Sequence, residues 1–392
     1  MSGRTGYDVV VVGAGSIGMS AGYYLAKRGL RTLLIDAFDP PHRNGSHHGG
    51  PRLIRHAYHG GPHYVRLALR ADALWQELEQ ASGIRLLERS GVLNVADPSV
   101  HSFAERLRDA DEAGVRYERL DASDVRRRWP GFAVPDGYEA LYEPDAGYLY
   151  SERCVEACRQ LALKAGAELL PNTTAIRVTA TPSHVSVRTT RGTYTAANAI
   201  LSAGAWFRTL APFVRLPIRT VRKAVGWFAA EPVDDRAQTL PGFTIGSRLG
   251  SYYGFPDMGG AGLKIGRHDG GRPWKPGDPF EPFGAYPEDE ADLRRALEAF
   301  LPGAAGRLVQ GVACKYELSP DENFIIDTHA EYSNVLLAGG FSGHGFKFAS
   351  AVGKALADWI ADGVAPADLA PFSRSRFAES APPVYFSEEV TS

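Results

Sequence analysis

Alternation in Gly262-Leu263-Lys264-Ile265-Gly266-Arg267-His268 puts Leu263 and Ile265 on one face of a strand. Gly262, Lys264, Gly266 and His268 then share the other. Glycines on either side of a lysine clear space for a flat group to lie beside its ammonium; a solvated surface lysine has no use for that space. In Ala313-Cys314-Lys315-Tyr316 the same period points Cys314 and Tyr316 one way. A lone cysteine is ordinarily inert core, but one beside Lys315 is placed to hold a depressed pKa and react as the thiolate. In Phe341-Ser342-Gly343-His344-Gly345-Phe346-Lys347, small residues bare backbone N–H groups ahead of a helix, which suits an anion. Lys347 stands at the helix start, where the dipole disfavours a cation, so a ligand explains it better than helix stability does. If Arg52-Leu53-Ile54-Arg55 is helical, its two guanidinium groups share a face. Such a pair suits a carboxylate or phosphate; a solvated charged face is the alternative.

These groups need elements to hold them. The β-branched run Tyr7-Asp8-Val9-Val10-Val11-Val12 reads as a strand buried on both sides in a parallel sheet. It enters Gly13-Ala14-Gly15-Ser16-Ile17-Gly18, where Gly13 makes the turn, Gly15 admits a pyrophosphate and Gly18 lets the helix pack close. A second strand, 31–35, ends at Asp36, 23 residues after Gly13, where an acceptor for ribose hydroxyls belongs. The motif alone does not separate FAD from NAD. The polar stretch 38–63 carries His42, His47 and His48. No cysteine or second acidic cluster completes a tetrahedral metal set, so this patch reads as a loop near phosphate or cofactor.

The chain of 392 residues suits two domains, or one with a large insertion. With 43 Lys plus Arg against 45 Asp plus Glu it lacks the basic footprint of a nucleic-acid binder. Three cysteines exclude a disulfide framework, and no apolar run approaches a membrane span. Without targeting signals, the expected location is the cytoplasm. Helical periodicity covers 65–80 and 100–114, with a strand at 91–95 between them. Arg126-Arg127-Arg128 reads as a solvated helix face. A helix from Ser151, its expected N-cap, runs to about 165 and holds Cys154 and Cys158 as small core residues. Segments 175–178, 184–188 and 192–194 form an antiparallel meander, and 199–204 is a buried strand ending in glycine. Strands and proline-rich turns fill 219–313, with a helix near 290–300. Another strand at 334–340 precedes a helix at 347–360. The expected fold is α/β: a Rossmann-type, glutathione-reductase-like FAD-binding domain from 1–88, 151–218 and 314–392. A second α+β substrate domain, on a mixed or antiparallel sheet, takes 89–150 and 219–313.

Together these residues resemble the monomeric sarcosine oxidase and N-methyltryptophan oxidase family of covalent flavoproteins. The likeness is densest in residues 36–42, 45–49 and 52–58, in Tyr253-Gly254-Phe255-Pro256, in 263–268, and in Cys314 with Ser319-Pro320-Asp321-Glu322. It continues through 324–327 and 341–348. The resemblance implies FAD held through the glycine fingerprint, Ser46, His47, His48, Gly343, Gly345 and Lys347, and covalently through Cys314 to the flavin 8α-methyl. It implies that Lys264 holds a water over the flavin and activates oxygen, and that Arg52 is the flavin-side arginine. Arg55 and Lys347 would grip the substrate carboxylate, with Tyr253, His268 and Tyr316 completing the active site. The family commonly has Asp-Thr where this chain has Gly50-Pro51, and proline has no N–H to offer there. Segments 263–271 and 369–377 look closer to the N-methyltryptophan member.

The implied reaction takes a small N-methyl amino acid and dioxygen to the primary amino acid, formaldehyde and hydrogen peroxide, in a protein compatible with a monomer. Another secondary amine (sarcosine, pipecolate, proline or a fructosyl amino acid) is the alternative within the class. A dehydrogenase with a different acceptor and a non-catalytic flavin-binding protein are the others.

Overall fold

The computed structural model describes residues 6–230 and 240–377. Strand Tyr7–Val12 lies at the middle of the first sheet, parallel to Thr32–Ile35 on one side and to Gly192–Leu201 on the other. The long strand Gly192–Leu201 serves two neighbours along its other edge. Its first half closes the hairpin with Val185–Thr189, and its second half runs parallel to Val335–Gly339. The last strand of the meander and the buried strand, read separately from sequence, are therefore one element. Val9, Val10, Val11, Leu33, Leu34, Ile200 and Leu337 are fully buried, as continuous apolar strands inside a doubly covered sheet should be.

Helix Ser16–Lys27 follows the glycine turn and packs against Ala349–Asp362. The approach is close: a Cβ on Gly353 would stand 2.4 Å from Ser20 Oγ. Ser151–Lys164 and Pro62–Ser82 complete this face, with Cys154 and Cys158 in its core as free thiols. Ser151 is not the N-cap expected of it. Tyr150 caps, while Ser151 begins the helix with its hydroxyl turned onto the carbonyl of Gly50. The cap therefore falls one residue earlier than expected, and no side chain accepts from the first-turn N–H groups there.

The second sheet is mixed. Arg219–Phe228 pairs antiparallel with Leu263–Arg267 and with Leu308–Leu318, and Gly250–Phe255 joins Leu263–Arg267 to Gly242–Ser247. Gly242–Ser247 runs parallel to Val92–Ala96, which pairs with Glu139–Glu143. Helix Glu288–Phe300 is clamped to this sheet by the buried pair Arg222–Asp289, bidentate at 2.6 and 2.7 Å. A division at 313/314 falls inside Leu308–Leu318, whose pairing with Arg219–Phe228 continues across it. A small third sheet pairs Gly147–Leu149 with Arg52–Ile54 on one edge and Leu87–Glu88 on the other. Arg126, Arg127 and Arg128 sit on helix Ala122–Arg128, paired with Asp136, Asp124 and Glu118. No helix among the described residues is long and apolar enough to cross a membrane.

Candidate active site

Two cavities meet in the body of the chain. The first, about 360 Å³, starts at Gly13, Gly15 and Ser16, passes Asp36, His42, Ser46 and His47, and ends at Arg52, Tyr316, Glu317 and Gly343. Its near end is built by backbone. Gly13 has φ +93°, and a Cβ there would stand 2.5 Å from the carbonyl oxygen of Ser202. A Cβ on Gly18 would meet the Gly13 carbonyl oxygen at 2.0 Å, so helix and turn touch only because both are glycine. Gly15 by contrast is uncrowded, since a Cβ there would meet His47 Nδ1 at an ordinary contact distance of 3.7 Å. Asp36 closes the second strand and accepts from the backbone N–H of Ala14 at 2.8 Å. His42 packs edge-on to His47 and lies 3.2 Å from Asp36, so the histidine patch borders the cavity. Burial holds His47 and His48 neutral, their pKa values pushed down to about 3 and about 4.

Arg52–Ile54 is a strand rather than the helix considered above, because it is held antiparallel to Gly147–Leu149. The two arginines therefore diverge. Arg52 donates to four loop carbonyls, those of Ser46 (2.9 Å), His48 (2.7 Å), Gly50 (3.0 Å) and Pro51 (3.1 Å). Lys264, buried, reaches the same loop from the second sheet, donating to Gly49 at 2.6 Å and Pro51 at 3.3 Å. Proline at 51 thus keeps the loop bound through its carbonyl, while Gly49 and Gly50 donate their N–H groups to Glu152. Burial drives the Lys264 pKa well down, with Arg52 adding to the effect; the two carbonyls and the faces of Trp227 and Phe255 favour its charge.

Cys314 is buried beside Tyr316 and in register with Lys223. Its pKa is raised, not depressed as its neighbour Lys315 suggested. Burial outweighs the combined pull of Arg52, Lys264, Lys223 and Lys315.

The second cavity, about 470 Å³, shares Arg52, Tyr316, Gly343 and Phe346 with the first and adds Arg55, Tyr58, Tyr253, His268 and Lys347. Gly343 makes the junction possible, since a Cβ there would enter the Tyr316 ring at 2.1 Å. Lys347 Nζ donates to the Tyr58 hydroxyl at 3.3 Å and the His344 carbonyl at 2.8 Å, while Arg55 covers the other part of the Tyr58 ring at 5.2 Å. Burial first, then Arg55, pushes the Lys347 pKa well down. His268 is held neutral, at about 4, by burial and by Lys223. Tyr253 and Tyr316 hydrogen-bond each other through their side chains, and burial raises Tyr253 to about 12 and Tyr316 well above its ordinary value.

Sequence reading missed Lys223, whose ammonium ties down the carbonyls of His268 and Gly270 at 3.1 Å each. It also missed Trp206 and Phe38 in the first cavity, and Asn94, Arg106 and Thr244 around the second. Asn94 gave a signal, a lone amide between Leu93 and Val95 in a strand otherwise apolar.

A slot that runs from a glycine turn to Arg52 fits a dinucleotide, and a buried polar atom at its far end, Glu317 Oε2, has no partner within the protein. Residues 8–359 match the family of FAD-dependent oxidoreductases described as DAO. The chain belongs to that family. It is 46% identical over 378 residues to the monomeric sarcosine oxidase of Bacillus sp. (strain NS-129), spanning 95% of this chain and 98% of the relative. It is 41% identical over 376 residues to the N-methyl-L-tryptophan oxidase of Yersinia pestis (strain Pestoides F), spanning 95% and 99%. Among solved structures it is similar to NikD, an unusual amino acid oxidase essential for nikkomycin biosynthesis, with TM-score 0.83 and 27% identity over 94% of this chain and 98% of that one. FAD is therefore the cofactor, with the fold expected from sequence. Whole-chain identity is higher to the sarcosine oxidase than to the N-methyltryptophan oxidase, against the local likeness of 263–271 and 369–377.

Proposed function

We propose that this FAD-dependent oxidoreductase oxidises the secondary amine of an N-methyl amino acid, giving the primary amino acid and formaldehyde while dioxygen becomes hydrogen peroxide. We read it as a cytoplasmic monomer whose FAD is attached through Cys314. The observation that carries the reading is the pair Arg55 and Lys347 flanking Tyr58 in a cavity that opens onto the dinucleotide slot at Arg52, Tyr316 and Gly343.

Arg55 and Lys347 take the carboxylate, which fixes the amine end toward the junction. Bound there, FAD would supply the two-electron acceptor and the route by which dioxygen is reduced. The residues handle charge. A wall bearing Arg52, Arg55 and Lys347 disfavours a second positive charge, so the amine binds with its lone pair free. Neutral His268 accepts a hydrogen bond from its N–H, and Tyr253 and Tyr316, which burial keeps protonated, offer hydrogen bonds and do not act as bases. Lys264 lies under the loop 49–51 and stabilises negative charge developing on dioxygen.

An anaerobic screen of N-methyl amino acids against the visible spectrum tests the activity. Bleaching followed by peroxide on admitting air is expected; bleaching only by pipecolate, proline or fructosyl amino acids moves the substrate, and none at all ends the reading. Cys314→Ser is expected to release all yellow colour on acid precipitation. Colour that stays with the precipitated variant removes Cys314 from the linkage.

A further inference from the structure

Arg106, on helix Ala104–Glu112, reaches the substrate cavity as a third cation beside Arg55 and Lys347. Its Nε is buried without any hydrogen-bond partner. One of its terminal nitrogens lies 3.4 Å from Asn94 Oδ1, the same oxygen that accepts from Arg55 and, at 2.8 Å, from Thr244. Two guanidinium groups thus converge on one neutral amide oxygen. Like charges held this close need a counter-anion.

The carboxylates at hand are already engaged. Glu143 is fully buried and accepts from the backbone N–H groups of His56 at 2.7 Å and Ala57 at 2.9 Å. Asp269 is held by Arg267 at 2.8 Å and by the backbone of Ser251 at 2.7 Å. Glu322 lines the cavity from an exposed position, where only its carbonyl takes part, accepting from His344. Glu143 favours the Arg106 charge from a distance, but one substrate carboxylate between Arg55 and Lys347 still leaves Arg106 Nε without an acceptor. Burial, with Arg55 adding to it and Glu143 opposing it, lowers the Arg106 pKa to about 9.

We propose that the preferred substrates are N-methyl dicarboxylic amino acids, with the α-carboxylate on Arg55 and Lys347 and the side-chain carboxylate on Arg106. This rests on the function proposed above and adds to it the class of side chain. Because Arg55 and Arg106 share one acceptor atom, the two anionic groups must be linked by a short chain, as in an aspartate skeleton. A large apolar side chain would leave the Arg106 guanidinium buried against hydrocarbon.

The test compares N-methyl-L-aspartate with N-methyl-L-asparagine, alike in shape and different in charge, on the holoenzyme. The expected ratio of their kcat/KM values is about 10 to 100, one charge-assisted hydrogen bond. Arg106→Met should bring that ratio near one, and Arg106→Lys should keep part of it. Calorimetry with succinate and its half-amide succinamate, neither of which can be oxidised, should show the same preference in the native protein and its loss in Arg106→Met. A native ratio near one, with N-methyl amino acids still oxidised, overturns this proposal and leaves the proposed activity standing. Equal losses for both substrates in Arg106→Met also overturn it, placing Arg106 on the α-carboxylate instead. If nothing bleaches the flavin the activity fails, and the succinate preference alone decides what Arg106 binds.

Discussion

The two joined cavities are made by opposite means. The dinucleotide slot is shaped by backbone: Gly13, Gly15 and Gly18 leave out side chains, and Asp36 receives an N–H from the turn it faces. The substrate cavity is shaped by charge, with Arg55, Arg106 and Lys347 brought in from three distant segments and insulated by Tyr58, Phe103 and Asn94. Backbone placement fails when atoms collide. Charge placement fails by degrees, as each cation contributes its own share. Losing a glycine should therefore be nearly absolute, whereas losing a cation should be graded.

Gly18→Ala is expected to have the largest effect. Its Cβ would stand 2.0 Å from a backbone oxygen that cannot move without the whole turn. Purified variant should be colourless, with FAD affinity down more than about 100-fold; yellow protein with normal absorbance would show that the turn tolerates the methyl. Lys264→Met comes next. It should slow oxygen consumption by the reduced enzyme by about 100-fold or more, while anaerobic bleaching by substrate changes far less. Equal losses in the two half-reactions would mean that Lys264 acts only as a support for the Gly49–Pro51 loop, which it also binds. Arg55→Met is the graded case, expected to lower kcat/KM about 10- to 100-fold and mainly through KM. A loss confined to kcat would mean Arg55 orients the reacting amine rather than the acid.

What was legible follows the same division. The glycine turn, the buried strand before it and Asp36 lie within 30 residues, so local spacing was enough to read the near end of the first cavity. The second cavity depends on register between strands far apart in the chain. Thr244 meets Asn94 only because Gly242–Ser247 runs parallel to Val92–Ala96 with those residues paired. No local rule gives that pairing, and none brings Arg106 over it. The Arg52–Arg55 segment misled for a related reason: its spacing fits a helix, but pairing with Gly147–Leu149 makes it a strand. Cys314 misled because a neighbour's charge can be read from sequence while the depth of burial cannot.

Titration of buried groups gives the smallest expected effect and sets the two regions side by side. His47 and His48 beside the slot, and His59 and His268 in the substrate cavity, are held neutral at about 3, 4, 2 and 4, burial being the main cause in each. An unfolded imidazole takes a proton near pH 6.5. Below that pH the unfolded chain binds protons the folded chain refuses, so stability falls as pH falls from 6.5 toward 4. Glu317, at the end of the slot, works the other way. Burial raises its pKa to about 7 against 4.5 for a free glutamate, so the folded chain gains a proton, and stability, as pH falls through that interval. Four histidines oppose one glutamate, and the net result is a lower Tm at pH 5 than at pH 7. Glu317→Gln removes the compensation. Its Tm should decline more steeply with acid than that of the native protein, by up to about 1.4 kcal/mol of unfolding free energy per pH unit. An identical slope in the two proteins would show Glu317 ionised in the fold, its charge met by a cation of the neighbouring cluster.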